Sequence, residues 1–201
     1  MARKKAYEEK IVKLILLKEG TYDLEEDLLI TCPISIHGAG QNKTIMQGKG
    51  ITIKGTKEKN KRVDMQGMTM KGPSESGLGA RNGLSFLCTR MTFTQCGIYG
   101  VVARKTKGRF INCVITQCGS SGIFCGTNAL IELEGSQTKV DGNNTNGNDW
   151  YGLHTWDTSS KIHLLFPLTK ESVSTNNHGG RNYGSVFGEG TIETVNALES
   201  L

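Results

Sequence analysis

The segment from Asp149 to Asp157 holds the side chains best suited to chemistry. It carries two tryptophans, Trp150 and Trp156, and His154 lies between them. Indole faces pack on sugar rings or on protein surfaces, and an imidazole exchanges protons near neutral pH. The carboxylates of Asp149 and Asp157 add candidate acid or base groups beside that histidine. This combination predicts either a binding surface or a small acid–base site.

A repeated glycine indicates the elements that hold these side chains. The repeats are spaced by 22 to 32 residues, which is a loose period typical of a coiled solenoid. Short alternating apolar runs, such as residues 51–53 and 131–133, favour strands over helices. We therefore predict an all-β parallel solenoid with three short strands in each coil. The column glycines are Gly77, Gly100, Gly122, Gly152 and Gly184.

A second column agrees with the first. An apolar residue, two polar residues and then Cys or Asn recur in stretches that end at Cys96, Cys118, Asn143 and Asn176. At a turn, these side chains can form hydrogen bonds with the turn backbone and with the side chain at the same position of an adjacent coil. That role is structural. Ser185 follows the last column glycine where earlier coils have an aliphatic residue. We expect the last coil to slip by one residue or to be partly solvated.

The positions that follow the column glycines predict a stripe of apolar, aromatic and basic side chains on one outer face. Outward and inward positions alternate along each strand. The second position after the glycine is an aromatic ring in the third and fourth coils. The fourth position is basic in the first two coils and a tryptophan in the fourth. With one tryptophan from a nearby loop, the predicted binding stripe for carbohydrate or protein consists of Arg81, Arg104, Phe124, Trp150, His154 and Trp156.

Loop lengths favour the same region. The distance from the Cys/Asn column to the next column glycine is four residues in two coils but nine and eight residues in the following two. Extra residues in a solenoid commonly lie on its binding side. The two long loops carry Trp150 and Arg181. They can equally be tolerated surface insertions, with the tryptophans covering the edge of the core, and this alternative stays open.

The six cysteines do not indicate metal or disulfide chemistry. No CxxC pair and no Cys/His spacing of a zinc site is present, so we predict no metal and no cofactor. Cys88, Cys113 and Cys125 lie in apolar runs, where a thiol packs as a small hydrophobic group. Cys96 and Cys118 could approach each other on neighbouring coils. We expect stacked free thiols, because the chain shows no export signal.

Composition and termini limit the class of protein. The chain of 201 residues has 21% charged residues and a net charge of +5, and we expect one domain. It would comprise a short helical cap over residues 1–10, coils over residues 11–195 and a tail over residues 196–201. No secretory signal and no membrane-spanning stretch is recognisable, so we expect a soluble intracellular protein without a membrane partner. Open strand edges at the last coil keep a homo-oligomer among the candidate assemblies.

A lysine-rich segment between Lys54 and Arg62 raises the question of nucleic acid. It holds five cations but no aromatic residue, whereas proteins that bind single strands usually offer stacking platforms. A solvated loop is the favoured interpretation. Nucleic acid is therefore not among the expected partners.

The opening repeats resemble a known family. Residues 20–24 (GTYDL), 34–40 (ISIHGAG) and 43–46 (KTIM), followed by the two columns, resemble the right-handed parallel β-helix repeats of the pectin-lyase-like superfamily. The resemblance covers residues 11–195 and implies a single-stranded right-handed parallel β-helix. That superfamily includes polysaccharide lyases, glycoside hydrolases, carbohydrate-binding repeats and noncatalytic scaffolds. The resemblance is thus specific for the fold and not for an activity.

The enzymes of that superfamily supply a test for catalysis. Its lyases place calcium-binding carboxylates and a basic residue on one outer face, and its hydrolases set two or three carboxylates close together. We align no two carboxylates of this sequence on adjacent coils beside an arginine or lysine, and His163 has no second ligand at a metal-like spacing. The candidate carboxylates are Asp64, Glu132, Glu134, Asp141, Asp149, Asp157 and Glu171.

Two functional hypotheses follow. The first, which we prefer, is a noncatalytic β-helical scaffold or binding module for carbohydrate or protein. The second is a small polysaccharide-active enzyme, a lyase or a glycoside hydrolase, with Asp149, His154 and Asp157 as acid or base candidates. A closely spaced carboxylate cluster in a groove would favour the enzyme, and a flat aromatic face would favour binding.

Overall fold

In a computed structural model of the chain, short strands wind into a parallel β-solenoid. The structure describes residues 13–57, 61–185 and 191–196. The predicted helical cap over residues 1–10 and all but the first residue of the predicted tail lie outside these residues. In the described ranges, no helix has the length and apolar character needed to cross a membrane.

Short strands make up nearly all of the regular structure. Among the residues that the structure describes, the longest helical element is the four-residue helix α1 (Lys170–Val173), and a 3₁₀ turn covers His178–Gly180. The strands are β1 (Leu14–Leu16), β2 (Gly20–Leu24), β3 (Leu28–Ile30), β4 (Ser35–His37), β5 (Thr44–Gly48), β6 (Ile51–Lys54), β7 (Arg62–Lys71), β8 (Leu78–Arg81), β9 (Ser85–Thr94), β10 (Val101–Arg104), β11 (Lys107–Ile111), β12 (Val114–Thr116), β13 (Ile123–Gly126), β14 (Leu130–Glu134), β15 (Lys139–Asp141), β16 (Leu153–Thr155), β17 (Lys161–Leu165), β18 (Ser174–Thr175), β19 (Tyr183–Ser185) and β20 (Thr191–Val195).

The strands form two parallel sheets. Sheet B stacks β3, β6, β8, β10, β13, β16 and β19. Sheet A has thirteen strands in two rows, β1-β4-β7-β9-β11-β14-β17-β20 and β2-β5-β7-β9-β12-β15-β18, which share the long strands β7 and β9. The predicted three segments per coil are present, but two of them are continuous in these long strands. Gly67 and Arg90, both with positive φ, mark the bends inside β7 and β9.

Inward side chains fill the interior of the coil. Leu78, Val101, Ile123 and Leu153 are paired in register and fully buried, as the glycine column predicts. Phenylalanines fill the space beneath sheet A, and the rings of Phe86 and Phe110 pack edge to face at 5.6 Å. Buried Met65, Met68, Met70 and Met91 fill the remaining space between the sheets.

The two sequence columns pack against each other. A Cβ at Gly77 would lie 2.9 Å from Cys96 Sγ of the next coil, and a Cβ at Gly122 would lie 2.8 Å from Asn143 Nδ2. Real Cβ atoms almost never approach other atoms this closely. Glycine therefore recurs because the Cys or Asn of the following coil needs the space.

The Cys/Asn column forms a hydrogen-bonded ladder. The backbone N–H of Cys118 donates to Asn143 Oδ1 at 3.1 Å, and that of Asn143 donates to Asn177 Oδ1 at 2.9 Å. The thiols of Cys96 and Cys118 are in contact, and this contact together with burial raises the pKa of Cys96. The asparagines thus have the structural role that the sequence predicts.

The last coil slips by two residues at β19, where a slip of one was expected, and it is partly solvated, which was the other expected outcome. Tyr183, not Ser185, pairs with Leu153 across β19 and β16. The ladder residue is Asn177, so the assignment of Asn176 was wrong by one position. Asn176 instead donates to Asp141 Oδ1 at 2.9 Å outside the coil. The error arose because helix α1 precedes β18, so the apolar residue that set the phase ends a helix and not a strand.

Candidate functional site

The outer face of sheet B carries a row of large side chains. Val102, Phe124 and His154 are paired in register on β10, β13 and β16. Their neighbours Ile123 and Leu153 belong to the core cluster, so alternation directs the row outward. The row is nevertheless buried, with Phe124 at 1% and His154 at 0% exposure. A second layer of side chains therefore covers this part of the sheet.

The loop between β15 and β16 supplies most of that layer. The ring centroid of Trp150 lies 4.8 Å from that of His154 and 6.1 Å from that of Phe124. Trp156, just after β16, is 5.7 Å from Trp150, and the two ring planes differ by only 15°. Tyr99, in the turn before β10, lies 5.2 Å from Phe124. We define the aromatic cluster as Tyr99, Phe124, Trp150, Tyr151, His154 and Trp156.

Asparagines hold the loop that carries Trp150. Asn144 Nδ2 donates to the carbonyl oxygens of Asn148 at 2.7 Å and Trp150 at 3.1 Å. Asn148 Nδ2 donates to Ser120 Oγ at 2.7 Å, which ties the loop to the preceding coil. Asn144 has a φ of 63°, a conformation that asparagine adopts more readily than most residues. Trp150 is therefore fixed over the sheet by local hydrogen bonds as well as by packing.

His154 supports the cluster from beneath. Its Nδ1 is 3.1 Å from Ser121 Oγ, and its Nε2 has no hydrogen-bond partner among the described residues. Burial lowers the pKa of His154 to about 4, so the ring is neutral at pH 7. We predicted that Phe124 and His154 would face a ligand directly. That expectation is corrected, because the covering indoles bury both side chains.

The half-buried rings form the outer surface of the cluster. Trp150, Trp156, Tyr99 and Tyr151 each keep part of their surface in contact with solvent. Two of these rings are nearly parallel and stacked, with their centroids 5.7 Å apart. We expected a flat aromatic face of a binding module, and this partly exposed pair is the candidate for it.

A row of cations continues from this face. Lys54, Arg81 and Arg104 are paired in register on β6, β8 and β10, and all three are exposed. The guanidinium carbon of Arg104 lies 5.1 Å from the centroid of the Phe124 ring, within cation–π range. Adjacent strands are about 4.8 Å apart, so these cations follow one line along the solenoid. The predicted Arg81 and Arg104 therefore adjoin the cluster as expected.

Asp149 is one of the two carboxylates considered as an acid or base. Its side chain is 92% exposed, and its Oδ1 lies 2.8 Å from Arg181 Nη2. Asp149 is thus an ion-pair partner on the surface, whereas His154, another acid or base candidate, is buried beneath the indoles.

Asp157 organises a turn. It accepts hydrogen bonds from the backbone N–H groups of Thr127 at 2.8 Å and Ser159 at 3.0 Å, and from the hydroxyl of Ser160 at 2.8 Å. Desolvation acts in the opposite direction, but these hydrogen bonds lower the pKa of Asp157. These bonds hold the ionised carboxylate in a structural role in the turn.

A row of charged side chains on sheet A is a second site of interest. Arg109, Glu132, His163 and Glu193 are paired in register on β11, β14, β17 and β20. The side chain of Glu132 is 2% exposed, and its Oε1 lies 3.1 Å from Lys107 Nζ. His163 Nε2 lies 3.6 Å from Glu193 Oε1. We call Lys107, Arg109, Glu132, His163 and Glu193 the charged row.

Burial sets the charge state of this histidine. Desolvation lowers the pKa of His163 and outweighs the opposing effect of Glu193. Neither ring nitrogen has a hydrogen-bond partner within the described ranges. In the same ranges, no group of three or more His, Cys, Asp or Glu side chains is arranged to hold a metal ion.

Comparison with known proteins places the fold in a family. The family model for the right-handed β-helix region matches residues 26–166, from just before β3 to just after β17. The chain belongs to the right-handed β-helix family. Among solved structures, the A-module of a mannuronan C-5 epimerase from Azotobacter vinelandii is similar, with 10% identity, a TM-score of 0.37 and coverage of 92% of this chain and 87% of that chain. No curated protein matches the chain.

The β-helix family assignment confirms the predicted fold class. Within this β-helix, Phe124, Trp150, His154 and Trp156 come together as predicted, and the two arginines extend the same face. The tyrosines of the cluster were missed as site residues. A signal for them was present, because Tyr99 and Tyr151 each stand immediately before a column glycine.

The charged row of the β-helix was also missed. Arg109, Glu132, His163 and Glu193 are separated by 23, 31 and 30 residues, steps close to those of the glycine column. In the described strands, no two of the candidate carboxylates are paired in register on adjacent coils, and Glu132 is paired with Arg109 and His163. The row was missed because the carboxylates were compared only with one another, whereas its outward position is shared by arginine, glutamate and histidine.

Proposed function

We propose that this β-helix is a noncatalytic module that binds carbohydrate at the aromatic cluster. The observation that carries the proposal is the half-buried Trp150–Trp156 pair, whose ring planes differ by 15°. A saccharide ring would lie against these indoles. Arg104 and Arg81 would donate hydrogen bonds to its hydroxyl or carboxylate oxygens.

Rigidity supports a binding role for this surface. Buried Phe124 and His154 hold the indoles from below, and Asn144 fixes the loop above. A surface that is already ordered loses little conformational entropy when it binds. Aromatic side chains add large contact area at low entropy cost. Aromatic faces bordered by hydrogen-bond donors match the apolar faces and polar edges of sugars.

The test measures binding of soluble polysaccharides by titration calorimetry, with neutral and uronate-containing chains in one panel. Trp150→Ala and Trp156→Ala should each weaken binding at least tenfold, because a central aromatic contact contributes about 2 kcal/mol or more. Phe166→Ala is the matched control, since Phe166 is an aromatic side chain that is 71% exposed and follows β17 of sheet A. Unchanged affinity in both tryptophan variants, or no binding across the panel, would contradict the proposal.

The charged row supports a second candidate function, a small polysaccharide-active enzyme. Buried Glu132 beside Lys107 and a largely neutral His163 are groups of the kind used for proton transfer. In that case Glu132→Gln and His163→Gln would each abolish release of new chain ends and leave binding at Trp156 unchanged. If the protein binds a polysaccharide but does not cleave it, the enzyme hypothesis is contradicted and the binding module is supported.

A further inference from the structure

A long groove follows the turns that connect sheet B to sheet A. Its volume is about 1240 Å³. The lining comes from the turns after β3, β6, β8, β10 and β13, from the beginnings of the sheet A strands that follow these turns, and from one residue that precedes β1. Five coils at about 4.8 Å each give a length of about 20 Å, which suits an extended chain better than a single ion. The cations that line it are Lys13, Lys57, Lys61, Arg62, Lys105 and Lys107.

The positive charge of the groove is poorly balanced from within. Its lining holds six cations and one carboxylate, Asp64, which Arg62 already binds at 2.6 Å. Lys107 is paired with Glu132, which lies outside the lining. Lys13, Lys57 and Lys105 have no ion pair with any described residue. Like charges on neighbouring coils repel one another and create a positive potential along the groove. A polyanion would relieve that repulsion.

The groove is continuous with the cation row of sheet B. Arg104 ends β10 on the outer face, and the next residue, Lys105, lines the groove. Lys105 has a φ of 52°, so the chain turns sharply between the two surfaces. Two coils earlier, Lys54 ends β6 in the same row, and Lys57, three residues further along the chain, lines the groove. We call the groove and this row together the basic surface.

We infer that the basic surface binds a sulfated polysaccharide. None of the described residues that line the groove is aromatic, so it lacks the stacking platforms typical of single-strand nucleic-acid sites. Clusters of lysine and arginine instead suit closely spaced anionic groups. Charge-assisted hydrogen bonds from several ammonium groups to sulfate oxygens would supply the affinity. The basic surface shares Arg81 and Arg104 with the proposed carbohydrate site, but the groove contains none of the aromatic cluster and goes beyond the proposed function.

The experiment compares dextran sulfate with uncharged dextran of the same length by titration calorimetry at several sodium chloride concentrations. Dextran sulfate should bind, with an affinity that falls steeply with salt, and dextran should bind far more weakly. The double variant Lys57→Ala/Lys105→Ala should weaken dextran sulfate binding at least tenfold. Both side chains are exposed, so their removal should leave the fold intact, which circular dichroism checks.

The control removes the same charge elsewhere. Lys49 and Lys71 are also exposed and do not line the groove, so Lys49→Ala/Lys71→Ala should keep at least half of the affinity. Trp156→Ala should leave dextran sulfate binding unchanged, which separates this site from the aromatic cluster. Equal losses in the two double variants would show an effect of net charge alone and overturn the inference. It would also be overturned if single-stranded DNA of matched charge bound more tightly than dextran sulfate at the same salt concentration.

Discussion

Gly77 and the glycines stacked on it are small because the next coil occupies the space that a side chain would need. A Cβ at Gly77 would also lie 2.8 Å from the carbonyl oxygen of Gly100, which is backbone and cannot move aside easily. The ladder residue can change from Cys96 to Asn143 along the solenoid because both fit beside a glycine. Single residues of one coil thus set the distance to the next.

Gly77→Ala should destabilise the protein by about 1–3 kcal/mol, because the new methyl group overpacks the contact with Cys96 and Gly100. Gly79→Ala is the matched control on the same strand. The nearest atom to a Cβ there is Val102 Cγ1 at 3.8 Å, so its free energy of unfolding should change by less than about 0.5 kcal/mol. Urea denaturation measures both. Equal losses in the two variants would contradict the packing explanation.

His154 should make stability depend on pH. Its folded pKa of about 4 lies below the value of about 6.5 expected in the unfolded chain. Between these values the unfolded chain holds a proton that the folded chain does not, so stability is lost as pH falls from about 6.5 towards 4, with a slope of up to about 1.4 kcal/mol per pH unit.

The comparison of wild type with His154→Phe isolates this contribution, since other titrating groups are common to both proteins. Urea denaturation at a series of pH values from 4.5 to 7 should give a shallower slope for the variant. Parallel curves for the two proteins would show that the pKa of His154 is the same in the folded and unfolded chains.

At the scale of elements, prediction succeeded where alternation is strict. The segments that became β10 and β13 have clear inward and outward positions, so the stacking of Val101 on Ile123 followed from the sequence. Prediction of the last coil failed by one residue at the Cys/Asn ladder, where α1 interrupts the strand pattern, and by two residues at β19. An inserted helix changes which residues of the next strand point inward. The repeat spacing of the sequence does not show that change.

The sequence also predicted only part of the candidate site. Alternation gave the outward direction of Phe124 and His154. Their burial depends on the loop between β15 and β16, whose path is set by hydrogen bonds from Asn144 rather than by a repeat. Sequence patterns describe faces of strands, whereas the covering of a face depends on aperiodic loops.

Asn144→Gly should loosen this loop while keeping its positive φ. The variant removes the two side-chain hydrogen bonds that hold the carbonyl groups of Asn148 and Trp150. In a Trp156→Phe background, Trp150 is the single tryptophan, and its fluorescence should become more accessible to acrylamide. Asn82→Gly is the control, since Asn82 has a similar φ of 65° and lies in a different turn. Unchanged quenching would show that packing alone holds Trp150.

At the scale of the whole molecule, the β-helix separates its surfaces by position along and around the coil. The aromatic cluster covers late strands of sheet B, and the groove follows early turns. The core is one continuous column, so each coil depends on its neighbours for burial. The two proposed sites can therefore be tested by separate variants of one folded protein.

Stability should decrease from the centre of the solenoid towards the first described coil. The inward side chains of β9, β11 and β14 are almost fully buried, with coils on both sides, whereas Leu14 and Leu16 of β1 are 49% and 71% exposed. Because a solenoid gains stability from nearest-neighbour contacts, a coil near its end opens without unfolding the centre. Hydrogen exchange measured by mass spectrometry should show amides of β11 exchanging at least about 100-fold more slowly than those of β1.

Gly77→Ala should accelerate exchange in β6, β8 and β10 before it affects β17. Equal protection of β1 and β11, with uniform acceleration in the variant, would instead indicate that the whole solenoid opens as one cooperative unit.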